Sequence, residues 1–365
     1  MNLSRSPYIV EVDDATQTGS KVELYIWTTG SQPADPQYTL SKLIPASNNT
    51  KTFYNISPYI REYYTFTTWQ NIYNSYDLDI STNYVVNYHI DVYNKIGGVY
   101  VVNALESQTG QFMDGYNYYM DGYNSISSTV LLSEGTYFYN HNGALGSAVV
   151  INMAGSFNVD INGVAGDVVR YTNLDSGTVN NITATTDGMK TFSRVYLPNI
   201  ADGNKVEYLG GGSAVRWTGY FKPLCEPKYS PVVVDFLNRY GSWARVFFQK
   251  VNKRSVEIKT NEYKFNPSAL PFFPTNEGQI KEFNTNGKET IKLNTGWVND
   301  LYGEYLQELL LSEKVTLFDP SYDAVNYTPV KVKTKSLQKQ TGLNDGMINY
   351  ELDFEFAYDL IGTVV

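Results

Sequence analysis

The sequence predicts a mainly-β fold: tandem antiparallel sandwich- or barrel-like domains with one amphipathic helix near the C-terminus. Three observations carry that expectation. Apolar residues recur with period two in several segments, and the stretches between them are short and rich in Gly, Asn and Asp. Tyrosine is in excess, with 32 Tyr beside 17 Phe and 5 Trp among 365 residues. Alternation gives a strand one apolar and one polar face, and a ring with a polar tip suits a half-buried sheet or an interface. Apolar residues make up 42% and charged residues 18%, enough to bury real cores and too little charge for a disordered polyelectrolyte. The length suits two or three domains of ~100–200 residues each.

In chain order, Tyr8, Val10 and Val12 alternate, as do Val22, Leu24 and Ile26, which predicts early strands. Ser57-Pro58 sets a capping hydroxyl before a proline suited to a first helical turn, so a short helix is expected over 57–64. Tyr84, Val86, Tyr88, Ile90 and Val92 share one face of a longer strand, with His89 and Asp91 on the other. MDGYN occurs at Met113 and again at Met120. Two copies fall short of a repeat architecture, which needs at least ~3, so Gln111 to Asn124 reads as a tyrosine-rich loop or arm. Gly241 allows a tight turn between 232–237 and 243–248, an apolar hairpin.

A helix is expected over 297–311. Val298, Leu301, Tyr302, Tyr305, Leu306 and Leu309 share a face, and Asp300, Glu304 and Glu308 recur every fourth residue on another. Gly303 in its middle costs ~1 kcal/mol relative to alanine, so the helix needs tertiary packing and should lie across a sheet. Finally Tyr350, Leu352, Phe354, Phe356 and Tyr358 alternate with Glu351, Asp353 and Glu355, a half-buried strand. Composition shifts divide the chain into 1–110, 111–225 and 226–365. Residues 1–225 carry 12 basic against 19 acidic side chains, and the remainder 16 against 18. Gly210-Gly211-Gly212 and Pro223, Pro227 and Pro231 lie near that change as a linker or long turn.

The same inventory narrows function. With 28 basic and 37 acidic residues, a net of −9, the surface as a whole opposes non-specific nucleic-acid binding. The single cysteine, Cys225, forms no internal disulfide, and with His89 and His141 it makes no standard zinc set. No run approaches the ~18–20 apolar residues of a membrane helix, and MNLSRSPYIVEVDD holds no apolar leader core, so a protein made in a cytoplasm is expected. Neither histidine sits in a nucleophile motif, Asp114 and Asp121 lack the spacing of a calcium loop, and the triple glycine lacks a phosphate-loop lysine. We therefore expect no catalytic residue, metal or cofactor, although a glycosidase-like carboxylate pair is left open because sequence does not show its spacing. Lys331, Lys333 and Lys335 alternate along one strand, either guarding a sheet edge or forming a basic stripe toward DNA or an acidic neighbour.

Three blocks of the chain resemble structural proteins of tailed bacteriophages, particularly crAss-like phages. CEPKYSPVVVDFLNRYGSWARVFF at 225–248 carries a Tyr-x-Pro strand, an Asn-basic-aromatic-Gly turn and an aromatic strand. LNTGWVNDLYGEYLQELLL from Leu293, with SEKVTLFD, YTPVKVKTKSL and INYELDFEFAYDLI after it, is similar to their closing segment. SPYIVEV, VELYIW, YTLSKLIP and NISPYIREYY resemble their N-terminal β domain. Together the blocks cover about half the chain, and residues 100–220 match nothing specific. The resemblance implies a non-enzymatic virion protein of the tail, its rings or its portal-proximal adaptor. Its partners would be further copies of itself in a ring and other tail or portal-proximal proteins, with DNA contact left open. The expected contact residues are Phe112, Tyr116, Tyr118, Tyr119, Tyr123, Trp243, Phe247 and Phe248. For Phe247 and Phe248 an internal core is at least as good a reading. The rival function is a receptor- or carbohydrate-binding tail-fibre module that stacks tyrosines on sugars.

Overall fold

The computed structural model describes residues 1–45, 49–65, 78–79, 85–122, 124, 137–140, 157–163, 166–183, 188–194, 202–211, 213–223, 231–264, 276, 278–319, 327–338 and 346–362. These form a mainly-β protein with several antiparallel sheets and two short helices. The chain divides into two compact units: Met1–Pro223 with Phe236–Arg245, and Leu224–Asp235 with Val246–Val365.

The first unit opens with β1 (Asn2–Leu3), β2 (Ile9–Asp13), β3 (Gly19–Trp27), β4 (Tyr38–Leu43), β5 (Lys51–Asn55), α1 (Ser57–Arg61), β6 (Leu78–Asp79), β7 (Val85–Ile96), β8 (Val99–Val102) and β9 (Gln108–Met113). One sheet runs β1-β9-β7-β3-β4, with β8 pairing the far end of β7. Its ladders are antiparallel except β1 on β9. The second layer is the β2–β5 pair followed by α1. The alternating residues explain the sandwich. Val22, Leu24, Ile26, Val86, Tyr88, Ile90, Val92 and Phe112 point from the large sheet into one core with Val10, Val12, Tyr54, Ile56 and Ile60. Buried hydroxyls tie the layers, since Ser20 Oγ lies 2.5 Å from Thr52 Oγ1 and 2.7 Å from Tyr54 Oη. The predicted helix from Ser57 is real but ends at Arg61 instead of 64, and Ser57 does not cap it. Its hydroxyl instead donates to the Ser6 carbonyl (2.7 Å) and accepts from the Tyr8 N–H (2.9 Å).

The unit continues with β10 (Tyr137–Asn140), β11 (Phe157–Gly163), β12 (Val168–Asn173), β13 (Val179–Thr183), β14 (Gly188–Arg194), β15 (Asn204–Gly210) and β16 (Ala214–Pro223). They build the sheets β10-β16-β15-β12-β13 and β11-β14-β6. Val169, Tyr171, Val206, Tyr208, Leu209, Trp217 and Phe221 are buried here. Asp167 is buried too, held by the Tyr208 hydroxyl, the Gly211 N–H (2.8 Å) and Arg216 (3.6 Å). Gly210 ends β15 opposite Ala214 and Gly211 lies in the turn into β16, so this part of the glycine tract belongs to a hairpin turn.

The closing elements are β17 (Val232–Leu237), β18 (Trp243–Phe248), β19 (Lys253–Lys264), β20 (Ile280–Asn299), α2 (Tyr302–Leu311), β21 (Val315–Phe318), β22 (Thr328–Val332) and β23 (Met347–Phe356). Their sheet runs β18-β17-β21-β22-β23-β20-β19. The β17–β18 turn is the predicted one, with Gly241 at φ +81°, a conformation that a side chain at this position would strain. Arg254 on β19 reaches both Glu289 (2.8 Å) and Asp319 just past β21 (2.9 Å), so the sheet curves enough to bring β19 near the end of β21. The predicted helix starts five residues later than expected. Trp297, Val298 and Asn299 instead continue β20, opposite Asn349, Ile348 and Met347. In α2, Tyr302, Tyr305, Leu306 and Leu309 are buried as predicted, whereas Leu301 is exposed and Glu308 is buried. Gly303 has a specific reason: a Cβ there would lie 2.6 Å from the Tyr350 hydroxyl on β23. Among the described residues no helix is long and apolar enough to cross a membrane.

Candidate interaction surfaces

The tyrosine-rich segment after β9 is a clamped loop. The Tyr116 N–H donates to the Arg239 carbonyl (2.7 Å), the Asn117 N–H to Ser6 Oγ (2.9 Å), and Asn124 Nδ2 to the Ser6 and Pro7 carbonyls (3.2 and 2.8 Å). Asp121 accepts from the Tyr118 N–H (2.9 Å) and from Arg239 Nη2 (2.8 Å). The Arg239 guanidinium lies 4.8 Å from the Tyr118 ring centre, Arg5 lies 4.8 Å from that of Tyr116, and the two tyrosines meet edge to face at 5.7 Å. This frame holds one 3-10 turn, Tyr119–Asp121, out in solvent. Tyr119 is 97% exposed and Met120 90% exposed. The fixed turn orders little further backbone on docking, and the adaptable Met120 thioether beside the Tyr119 ring can fit an uneven surface.

A second surface is the tip of the β7–β8 hairpin. Val99, Tyr100, Val101 and Val102 are all exposed, as is Ile96, and among the described residues β8 pairs on one side only. Such an apolar strand with a free edge is a template for pairing with another chain. Lys21 and Lys95 each lie 5.5 Å from the Tyr100 ring centre and give the patch a cationic border.

The third surface is a ribbon. β19 pairs with β20 from Lys253 opposite Lys292 to Lys264 opposite Ile280, with one shift of register between Lys259 and Asn261. β23 covers β20 only from Thr290 onward, so the outer part is two strands wide. At its base the Leu360 N–H donates to the Gly287 carbonyl (2.8 Å), and Asn286 bonds both backbone groups of Ile361. Val256 (54% exposed) and Ile258 (68% exposed), opposite Glu289 and Gly287 at this base, share one face with Ile280 at the far end. Tyr263 and Phe283, with ring centres 5.6 Å apart, are exposed on the other. A two-stranded ribbon is marginal in water by itself, and this one exposes apolar side chains on both faces.

The predicted contact residues divide. Tyr116, Tyr118 and Tyr119 belong to the clamped loop, and Tyr123 lies outside the described residues. Phe112, Trp243, Phe247 and Phe248 are buried in the chain's own cores and cannot meet a partner while the fold is intact. Phe112 packs against Tyr8 and Tyr88, and Phe248 against Phe354. Lys331, Lys333 and Lys335 are exposed, but within a mixed field of charge. Lys331 stands opposite Glu355, Lys333 lies 3.7 Å from Glu257, Lys288 3.2 Å from Glu355, and Lys292 3.8 Å from both Glu351 and Asp353. The ribbon and the β8 edge were missed because a strand exposed on both faces has no period-two signal.

Among the described residues, His89 offers a geometric candidate for chemistry. His89 Nδ1 lies 2.7 Å from Thr109 Oγ1 and Nε2 lies 3.0 Å from Asp91 Oδ1, a hydroxyl–imidazole–carboxylate row across β9 and β7. It lies on the polar face of a paired sheet, with His89 in register with Thr109. His89 is also in register with Tyr25 on its other side, so the row reads as hydrogen bonding between paired strands. His141 and Cys225 lie outside the described residues. Among the described residues no group of three His, Cys, Asp or Glu is arranged to hold a metal ion. No protein-family model matches the sequence, and no curated protein matches it either.

Proposed function

We propose that this chain is a structural component of a tailed-bacteriophage virion, a ring or adaptor protein of the tail that works through contacts with further copies and with neighbouring tail proteins. The observation that carries the reading is the β19–β20 ribbon, whose Val256, Ile258, Tyr263, Ile280 and Phe283 are exposed over both faces. The three sequence blocks that resemble tail proteins supply the setting. Closed rotational symmetry needs two different patches on each copy. The Tyr119–Met120 turn and the β8 edge are two such patches, of different chemistry, and the ribbon adds a third.

The test is the protein content of purified particles from an infected host. Quantitative mass spectrometry is expected to find this chain in them at a fixed copy number, a multiple set by the ring. Its absence from washed particles, together with a stable small oligomer retained on a glycan column, would replace this reading with the carbohydrate-binding one.

A further inference from the structure

The outer edge of β19 has no strand beside it among the described residues, and its twelve residues are KRSVEIKTNEYK. We propose that this edge pairs antiparallel with the same edge of a second copy, about a two-fold axis through Ile258. The inference is independent of where in a particle the chain sits.

Geometry limits the choices. Only alternate residues of a strand turn their N–H and C=O outward, and two copies presenting the same edge use the same alternate set. Facing residues must then both be odd or both be even, so the axis always passes through a residue. An axis at Glu257 sets carboxylate against carboxylate, and one at Lys259 sets ammonium against ammonium. An axis at Val256 brings Lys253 opposite Lys259, and one at Thr260 pairs no opposite charges while facing Ile258 with Glu262. The axis at Ile258 stands apart. It faces Ile258 with Ile258, Val256 with Thr260, and Glu257 with Lys259 on both sides of the dyad. Arg254 then also lies opposite Glu262 while keeping its own-chain partners Glu289 and Asp319. Opposite charges and apolar pairs directly across an antiparallel ladder are the stabilising combinations, and like charges the destabilising ones. Ile258 is the most exposed apolar residue of the strand, and this register covers it with its own copy. The two sheets become one continuous sheet, which removes a long free edge.

The experiment uses the full chain with Cys225→Ser, so that an introduced thiol is the only one. Facing residues have Cβ atoms ~4.5–5.5 Å apart, whereas the two Val256 residues would be ~13 Å apart at ~3.3 Å per residue. Under mild oxidation Ile258→Cys is expected to form covalent dimer at least about tenfold faster than Val256→Cys. Equal rates, or no dimer from Ile258→Cys, would overturn the proposal. In the second arm, read by sedimentation without any cysteine, Glu257→Lys and Lys259→Glu each weaken the dimer about tenfold and the double exchange restores it. Failure of the double exchange to restore it would also overturn the proposal. Neither arm requires a ring to form, so loss of the ring reading would leave this result unchanged.

Discussion

Gly303 pays a helix penalty because α2 comes within reach of Tyr350: a methyl group there would lie 2.6 Å from the phenol oxygen. Gly303→Ala gains ~1 kcal/mol of helix propensity but overpacks the contact by about 1–3 kcal/mol, so a net loss of stability is expected in chemical denaturation. The Tyr350 hydroxyl is buried with no hydrogen-bond partner among the described residues. Tyr350→Phe should therefore be close to neutral, and Gly303→Ala in that background should recover most of the loss. Several other phenols titrate high. The carboxylate of Glu62 accepting from Tyr38, and that of Glu23 accepting from Tyr93, push these groups up to about 12, and burial, then Asp167, does the same for Tyr208. A group raised in the folded state stabilises the fold fully below its unfolded value near 10 and loses that contribution as pH rises toward about 12. Ultraviolet titration should accordingly show a set of tyrosines that ionise above pH 11 in the folded chain and near pH 10 in denaturant, with stability falling across that window.

At the scale of elements, two arginines hold pieces that the hydrophobic pattern alone would leave loose. Arg239 binds Asp121 at 2.8 Å and packs over Tyr118, so Arg239→Ala should cost about 2 kcal/mol and expose 116–122 to rapid proteolysis at Tyr119. Arg254 lies between the nearly buried carboxylates of Glu289 and Asp319, and its removal takes a cationic partner from each. Arg254→Ala should destabilise the second unit by about 3 kcal/mol, measured by thermal unfolding, while Arg254→Lys recovers part of it. Legibility in the sequence follows the same physics. The strands β3, β7 and β23 are readable because each buries an apolar face and sets a more polar, half-buried or exposed face against it, and Gly241 marks its turn. The start of α2 is not, because Val298 is apolar in either period and the pairing of Trp297–Asn299 with β23 depends on residues some fifty positions away. Aromatic identity did not separate core from surface. Phe112 and Phe248 fill interiors, whereas Tyr119 stands in solvent because the turn around Asp121 lifts it there.

For the whole molecule, the described residues combine buried cores with three apolar features left exposed. The Tyr119–Met120 turn, the β8 edge and the β19–β20 ribbon differ in shape, which suits unlike contacts repeated around an axis. Burial of such surfaces in assembly would make apparent stability depend on protein concentration. The native mass of the purified full-length chain, followed from nanomolar to high micromolar concentration, tests this most directly. A closed multi-subunit species that forms cooperatively, and that is lost when Val256, Ile258 and Phe283 are all changed to serine with the fold intact by circular dichroism, is expected. A monomer that persists over the whole range and turns over a small-molecule substrate would contradict it.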